Sequence, residues 1–408
     1  MKCGLLGRKL GHSYSPQIHG LLGEYPYTLM EKEPEELEDF LRNGDFTGIN
    51  VTIPYKKDVI AYLDSLSPVA EKMGAVNTIV RKEDGSLWGH NTDYYGFLAM
   101  VKRSGLAVAG KKVLVLGSGG ASNTAVAVLA ELGANVVVVS RSGENHYGNL
   151  HLHRDAAAIV NTTPVGMYPN TEEAPLDLDT FAQLEGVLDV IYNPARTALL
   201  QQAEKRGIVA INGLYMLVAQ AKETAEYFTG EVIADSVIDK IYYKLSAQMQ
   251  NIVLIGMPGC GKSTIGKLLA EKTGRKFVDA DEKIVELAKK SIPEIFAQDG
   301  ENVFREWETK ALAELGKQSG LVIATGGGCV TKERNYPLLH QNGILFWLKR
   351  DLSLLPAEGR PLSQQNKPET LYEQRKVFYE AFADHCIDND GSCEDTVHAI
   401  LSRMEESV

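Results

Sequence analysis

Short apolar runs recur along the chain, bounded by glycine, asparagine or charged residues, and the segments between them carry apolar positions at three- and four-residue spacing. This alternation predicts strands and amphipathic helices in turn, the signature of an α/β fold with helices laid over a parallel sheet. Residues 1 to about 100 form one such series, closing on "GHNTDYYGF". A second begins at "KKVLVLG" and runs through "ANVVVVSRS", "AAAIVNTTP", "GVLDVIYNP" and "IVAING". Two helices are expected next, "LYMLVAQAKETAEYF" and "ADSVIDKIYYKLSAQMQ", before "NIVLIG" opens a new sheet. The main boundary is expected near Gln248 to Gln250, with no repeat and no Pro/Gly/Ser-rich linker.

A length of 408 residues asks for two or three compact units rather than one core. The formal net charge of -11, with no Lys/Arg-rich stripe, argues against a nucleic-acid partner and leaves small-molecule substrates. Cys3, Cys260, Cys329, Cys386 and Cys393 form no CxxC pair and no zinc spacing, so a reducing compartment is expected. The first ten residues are too short and too soon interrupted for a signal peptide, and no apolar run approaches the roughly 18 residues of a membrane span. A soluble, cytoplasmic protein is the expectation.

Two glycine loops follow apolar strands. "GMPGCGKST" satisfies G-x-x-x-x-G-K-[ST] with Gly256, Gly261, Lys262 and Ser263, between a predicted strand and a predicted helix. Backbone N–H groups of such a loop wrap nucleotide phosphates, the lysine neutralises them, and the Ser263 hydroxyl would hold Mg²⁺. Gly259, Cys260 and Thr264 complete the expected set for ATP or GTP. The other loop, "GSGGAS", supplies Gly117, Gly119 and Gly120, with Ser122 where G-x-G-x-x-G has its last glycine. Its setting between two predicted strands and a helix is that of a Rossmann unit. The second strand ends on Ser140-Arg141-Ser142 rather than on an acidic residue, which suits the 2′-phosphate of NADP better than the ribose of NAD.

Downstream of "GMPGCGKST", "FVDADEKI" sets Asp279 and Asp281 two apart at a strand end, hence on one side. "NVFREWE" allows Arg305 to pair with Glu308 on a helix face; "IATGGGCV", "EGRPL" and "EQRKVFYEAF" add Gly327, Arg360 and Arg375. Each alone also fits a surface ion pair or a tight turn. Their order, P-loop, D-x-D, F-R-x-x-E, G-G-G, R-P-L, R-x-x-x-Y, resembles shikimate kinase over residues 250–408. The resemblance implies that Asp279 acts beside Mg²⁺ with Ser263, and that Asp281 binds the shikimate hydroxyls and orients or deprotonates the acceptor. It implies that Arg305 and Arg375 grip the carboxylate, that Gly327 touches the ring through its backbone, and that Arg360 swings in on a lid. The segment "RKVFY" departs from the family in lacking a proline before its apolar residue.

Upstream, "GHSYSPQIH" places Ser13 and Ser15 two apart, "GINVTIPYKKDV" supplies Asn50, Thr52 and Lys56, "GAVNTI" supplies Asn77 and "GHNTDYYG" supplies Asp93. A Ser-Pro turn, a surface lysine and an Asx turn are the plainer readings of each. The set, with "DVIYNPARTALL" and "GLYMLVAQA" after the Rossmann unit, resembles shikimate dehydrogenase from about residue 3 to 245. That implies NADPH reduction of 3-dehydroshikimate, with Lys56 and Asp93 flanking the carbonyl. A neighbouring carboxylate favours the charged lysine, so Lys56 is the expected proton donor. Ser13 and Ser15 would bind the carboxylate; Thr52, Asn77, Tyr192 and Gln220 would meet the ring; Gly213 and Met216 would meet the cofactor. The implied domains are 1–101 for substrate, with 213–247 returning to it, 102–212 as the Rossmann domain and 250–408 as the kinase. Three departures stand out: Gly20 after His19, a short connection between Arg141 and Asn161 that suggests a trimmed helix, and Glu144-Asn145 where a second basic residue is common. His146, His151 and His153 lie in that short connection and are expected to be solvated rather than metal-bound.

A bifunctional dehydrogenase–kinase is thus expected, with NADPH, ATP and Mg²⁺. An NAD-linked quinate or shikimate dehydrogenase fused to the kinase, and a catalytically silent ligand sensor, are the alternatives.

Overall fold

The computed structural model describes residues 1–11, 13–355 and 368–406, and they form an α/β structure of two compact units. The first unit holds Met1–Val165, Ala174–Tyr192 and Gln202–Lys244. The second holds the chain from Leu245 together with Gly166–Glu173 and Asn193–Gln201, two short stretches that lie within the expected 102–212 domain.

Two sheets build the first unit. One has six strands: β1 (Cys3–Gly7), β2 (Tyr27–Glu31), β3 (Gly48–Val51), β4 (Ser65–Leu66), β5 (Thr78–Arg81) and β6 (Leu87–His90), in the order β2-β1-β3-β5-β6-β4. It is mixed rather than purely parallel, since β5 runs antiparallel to both β3 and β6. The connection "KEDGS" between β5 and β6 is a tight turn, too short for the crossover that parallel neighbours need. The other sheet is parallel throughout: β7 (Lys112–Leu116), β8 (Asn135–Val139), β9 (Ala158–Asn161), β10 (Gly186–Asp189) and β11 (Val209–Ile211), in the order β11-β10-β9-β7-β8. Val113, Val115 and Val160 pack there against Phe97 and Met100 of the helix Asp93–Ser104, and all five are buried.

That helix lies against the helix Leu214–Thr229 at short range. A Cβ at Gly96 would come 2.6 Å from the Met216 carbonyl oxygen, so only glycine allows the approach. The contact matters for function because it brings the start of one helix, with Asp93, beside Gln220 of the other.

The second unit is built on a parallel sheet of β12 (Asn251–Ile255), β13 (Lys276–Asp279), β14 (Leu321–Ala324), β15 (Gly343–Lys349) and β16 (His385–Asp388), in the order β13-β14-β12-β15-β16. All five residues of β12 are buried, as expected of a central strand covered on both faces. Where a trimmed helix was expected after Arg141, the chain forms a 3-10 stretch, Tyr147–His153, kinked at Asn149. Among the described residues no helix is long and apolar enough to cross a membrane.

Candidate active sites

The first unit contains a cleft of about 510 Å³ in which several of its segments meet. Ser13 and Ser15 arrive at the start of the helix Ser15–Leu22, Thr52 and Lys56 from the loop after β3, and Asn77 from just before β5. Asp93 opens its helix, Tyr192 follows β10, and Gly213, Met216 and Gln220 line the cleft from the segment after β11. Lys56 Nζ donates to Asp93 Oδ2 at 2.5 Å, with both side chains largely shielded from solvent. Asn77 Nδ2 donates to the other carboxylate oxygen, Oδ1, at 2.9 Å. One carboxylate therefore fixes both the cation and an amide of the cleft. Asn50 also lines it, held by the Tyr27 hydroxyl at 2.8 Å; its surroundings in the sequence gave no hint of that partner.

Of the glycine loop, Gly120 lines the cleft. Gly119 caps the helix Gly120–Glu131, whose N-terminus is a fit place for a pyrophosphate. Ser122 turns inward and donates to the Gly117 carbonyl at 2.8 Å, closing the turn. Gly117, Gly119 and Arg141 lie outside the lining of the substrate cleft. Arg141 is exposed past the end of β8 and faces Tyr147: burial pushes the Tyr147 hydroxyl up, and the Arg141 cation pulls it down. His146 accepts from the Gly148 N–H and His153 is within 2.9 Å of the Asn145 amide oxygen, so two of the three histidines serve the local turn.

In the same unit His19 is buried, 2.7 Å from the Tyr25 hydroxyl and stacked on Tyr27 with ring centres 4.0 Å apart. Burial pulls its pKa down from 6.5 to about 3. The unfolded chain thus binds a proton that the folded one refuses, and the stability His19 contributes is complete above about pH 6.5. It falls by about 1.4 kcal/mol per pH unit on acidification towards pH 3. A His19→Phe variant, unfolded in denaturant at pH 7 and at pH 5 with dehydrogenase turnover as readout, is expected to lose less stability between the two than the unaltered chain. Equal losses would refute the assignment.

The second unit has a cleft of about 500 Å³ above the P-loop. Gly261 sits at φ 100°, a left-handed conformation that a side chain resists, and starts the helix Lys262–Thr273. Gly259, Gly261, Lys262, Ser263 and Thr264 all line the cleft. Lys262 Nζ folds back onto the Gly256 and Met257 carbonyls at 2.9 and 3.0 Å, the place a phosphate oxygen would contest. Cys260, expected among the nucleotide ligands, is fully buried; its N–H bonds Met257 and its carbonyl accepts from Asn389 at 2.5 Å, so it braces the loop from behind.

Ser263 Oγ donates to Asp279 Oδ2 at 2.8 Å, so a hydroxyl and a carboxylate stand together beside the phosphate loop, a donor pair suited to Mg²⁺. The strand-alternation argument for Asp281 does not hold: β13 ends at Asp279, which caps the next helix by accepting from the Asp281 N–H at 3.0 Å. Asp281 still reaches the cleft, from the first turn of that helix. Arg305 pairs with Glu308 at 2.8 Å and with Glu301 at 3.0 Å. Arg375 and Tyr379 donate to the Gly327 carbonyl at 3.2 and 2.5 Å. A Cβ at Gly328 would lie 2.4 Å from the Arg305 guanidinium, which is why this wall is glycine. Arg360 lies outside the described residues.

Glu308 was legible as a partner of Arg305 but not as a wall of the cleft. It is almost fully buried, burial pushes its carboxyl up against the pull of Arg305, and its Oε1 has no hydrogen-bond partner among the described residues. Such an oxygen is suited to a hydroxylated ligand.

Residues 258–405 match the family model for shikimate kinase, and residues 5–79 match that for the shikimate dehydrogenase substrate binding domain. A shikimate dehydrogenase (NADP(+)) of Clostridium perfringens is 37% identical over 267 residues, spanning 60% of this chain and 98% of that protein. The chain belongs to the shikimate dehydrogenase family. Its C-terminal part is a shikimate kinase domain. Among solved structures, shikimate dehydrogenase 1 from Peptoclostridium difficile matches with a TM-score of 0.55 and 37% identity, over 60% of this chain and 97% of that one. The Thermus thermophilus shikimate 5-dehydrogenase, solved with NADP(H) and shikimate, matches at 0.55 and 31%, over 60% and 99%. This is a shikimate-pathway enzyme with two activities.

Proposed function

We propose that the first unit reduces 3-dehydroshikimate to shikimate with NADPH, and that the second phosphorylates that product at its 3-hydroxyl to shikimate 3-phosphate. The Lys56–Asp93 pair, 2.5 Å apart in a cleft otherwise lined by hydroxyls and amides, carries the reading. NADPH supplies the hydride, and Lys56 Nζ delivers the proton to the carbonyl oxygen while Asp93 holds the lysine in line. Ser13 and Ser15 take the carboxylate at one end of the cleft; Thr52, Asn77, Tyr192 and Gln220 take the ring. Gly213 and Met216 close on the cofactor side, with Gly117, Gly119 and Gly120 under the pyrophosphate.

In the second cleft ATP supplies the phosphoryl group and Mg²⁺ offsets its charge. Gly259, Gly261, Lys262, Ser263 and Thr264 would wrap the phosphates, Lys262 would exchange its two loop carbonyls for phosphate oxygens, and Ser263 with Asp279 would hold the metal. Asp281 orients the accepting hydroxyl, while Arg305 and Arg375 hold the carboxylate and the Gly327 backbone abuts the ring. The 3-hydroxyl formed in the first cleft is the acceptor in the second. The domain division proposed is 1–101 with 213–247, then 102–212, then 250–408; the packing of the helix Leu214–Thr229 back onto Asp93–Ser104 supports the first of these. Lys56, Asp93, Lys262 and Asp281 all line their clefts, which tells against a silent sensor.

Shikimate supplied with NADP alone should yield 3-dehydroshikimate, and with Mg-ATP alone shikimate 3-phosphate, each identified by mass. A turnover of quinate faster than of shikimate would overturn the substrate assignment.

Arg141 stands where an NAD-binding chain carries an acidic residue, so it is the proposed contact for the 2′-phosphate. Arg141→Ala is expected to lower kcat/KM for NADPH about 10- to 100-fold, the loss of a charge-assisted hydrogen bond, and to leave NADH turnover unchanged. An unaltered NADPH-to-NADH ratio would remove Arg141 from the site.

A further inference from the structure

We propose that Tyr14 is a positioning residue of the dehydrogenase site, its ring holding Tyr192 so that the Tyr192 hydroxyl meets the substrate; the inference rests on the reading of Tyr192 given above. Tyr14 stands between the two serines assigned to the carboxylate, yet it lies outside the lining of the cleft that both of them share. The local backbone accounts for this. The Ser15 N–H donates to Ser13 Oγ at 3.2 Å, and the Tyr14 carbonyl accepts from the Ile18 N–H at 2.9 Å as the helix Ser15–Leu22 begins. Pro16 lies in the first turn of that helix, where its fixed φ suits the start. The turn puts both serines on the cleft and the residue between them off it.

There the Tyr14 ring meets Tyr192 edge to face, with ring centres 6.1 Å apart and planes at 78°. In this geometry the positive edge of one ring lies against the negative face of the other. The two rings come from different sheets of the same unit: Tyr14 opens the helix between β1 and β2, and Tyr192 follows β10. The backbone before Tyr192 is braced at Ile191, whose N–H donates to the buried Asp189 carboxylate at 3.0 Å. The Tyr192 side chain has no hydrogen bond among the described residues, so its hydroxyl is placed by how its ring is packed, and Tyr14 is the aromatic ring against it. Burial pushes the Tyr192 hydroxyl up and the neighbouring Tyr14 hydroxyl pushes it further, so Tyr192 keeps its proton at neutral pH and can donate it. A tyrosine hydroxyl so shielded ordinarily has a partner. Tyr192 lines the cleft, and the substrate is the partner left for it. Because Ser13 and Ser15 flank Tyr14 in the chain, Tyr192 stands at the serine end of the cleft. Without the Tyr14 ring, the Tyr192 ring is free to lean into the vacated space and take its hydroxyl away from the substrate. Tyr14 itself is off the cleft and its hydroxyl also lacks a partner among the described residues, so its ring is the acting part.

Neither tyrosine bonds to the Lys56–Asp93 pair, so the effect falls on substrate binding and not on proton delivery. In steady-state oxidation of shikimate by NADP, Tyr14→Ala is expected to raise KM for shikimate about three- to tenfold, the worth of one edge-to-face pair. The kcat, the KM for NADP and the kinase activity of the same chain should stay within about twofold, and Tyr14→Phe should match the unaltered chain. Tyr192→Phe is expected to raise the same KM, and adding Tyr14→Ala to it should change nothing more, because the positioned hydroxyl is already gone. If Tyr192→Phe raises KM and Tyr14→Ala does not, positioning by Tyr14 is refuted while the site stands. Effects that multiply in the double variant would mean that Tyr14 acts independently of Tyr192, and would overturn the proposal. So would a Tyr14→Phe chain as impaired as Tyr14→Ala, since the hydroxyl and not the ring would then be at work. Should Tyr192→Phe itself leave KM unchanged, the reading of Tyr192 has failed, and the proposal with it. Equal changes in kcat and both KM values would mark Tyr14 as merely structural and refute positioning. Where the alanine chain does not fold, judged by melting, Tyr14→Leu decides by the same comparison with Tyr192→Phe.

Discussion

Lys56→Ala is expected to slow ketone reduction about 10²- to 10⁴-fold, the usual worth of a positioned general acid, while leaving phosphorylation of shikimate unchanged. The lysine side chain is 29% exposed and pairs with Asp93, itself 19% exposed, so its loss costs a largely shielded ion pair at the cleft wall and not a core contact. Folding should survive, and the kinase reaction of the same chain reports that it has. The KM for shikimate should change less than kcat, because serines and amides hold the substrate elsewhere in the cleft. A loss of less than tenfold in kcat would mean that another group delivers the proton.

The second large effect is its mirror image. Lys262→Ala should lower the kinase rate about 10²- to 10³-fold or more, since it removes a cation aimed at charge that develops in the transition state. Lys262 is buried on two backbone carbonyls of its own loop, so alanine leaves those carbonyls short of a donor as well. That penalty should appear as a modest loss of thermal stability and should not touch reduction of 3-dehydroshikimate. Two separate clefts, each lined by its own groups, imply independent activities. If either substitution silenced both activities in a folded chain, independence would be wrong.

The parts of both sites that could be read from sequence are those whose chemistry is local. The P-loop is one: a left-handed Gly261 followed by Lys-Ser at the start of a helix is dictated within a few residues. Arg305 and Glu308 are another, because helical spacing alone brings them together. Asp281 was placed in its cleft for the wrong reason, since the strand stops at Asp279 and the carboxylate of that residue starts a helix instead. Cys260 sits within the P-loop motif yet faces inward to Asn389, a partner more than a hundred residues away that no spacing announces. The mixed first sheet was equally hidden, because the short β5–β6 turn outweighs the general strand–helix alternation. A cluster of three hydroxyls, those of Thr78, Thr92 and Thr224, was the least legible feature. It depends on a helix from residue 214 onward returning to the first sheet, and threonine is as ordinary in a core as in a site.

Joining the two reactions in one chain has a simple thermodynamic use: ATP consumption draws the reversible reduction forward, and a freely diffusing intermediate suffices for that. One incubation tests the central claim most directly: the purified chain with 3-dehydroshikimate, NADPH and Mg-ATP, its products followed by mass. Shikimate 3-phosphate accumulating in step with NADPH oxidation is the expected result. Shikimate accumulating without its phosphate, or NADPH left unconsumed, would contradict it.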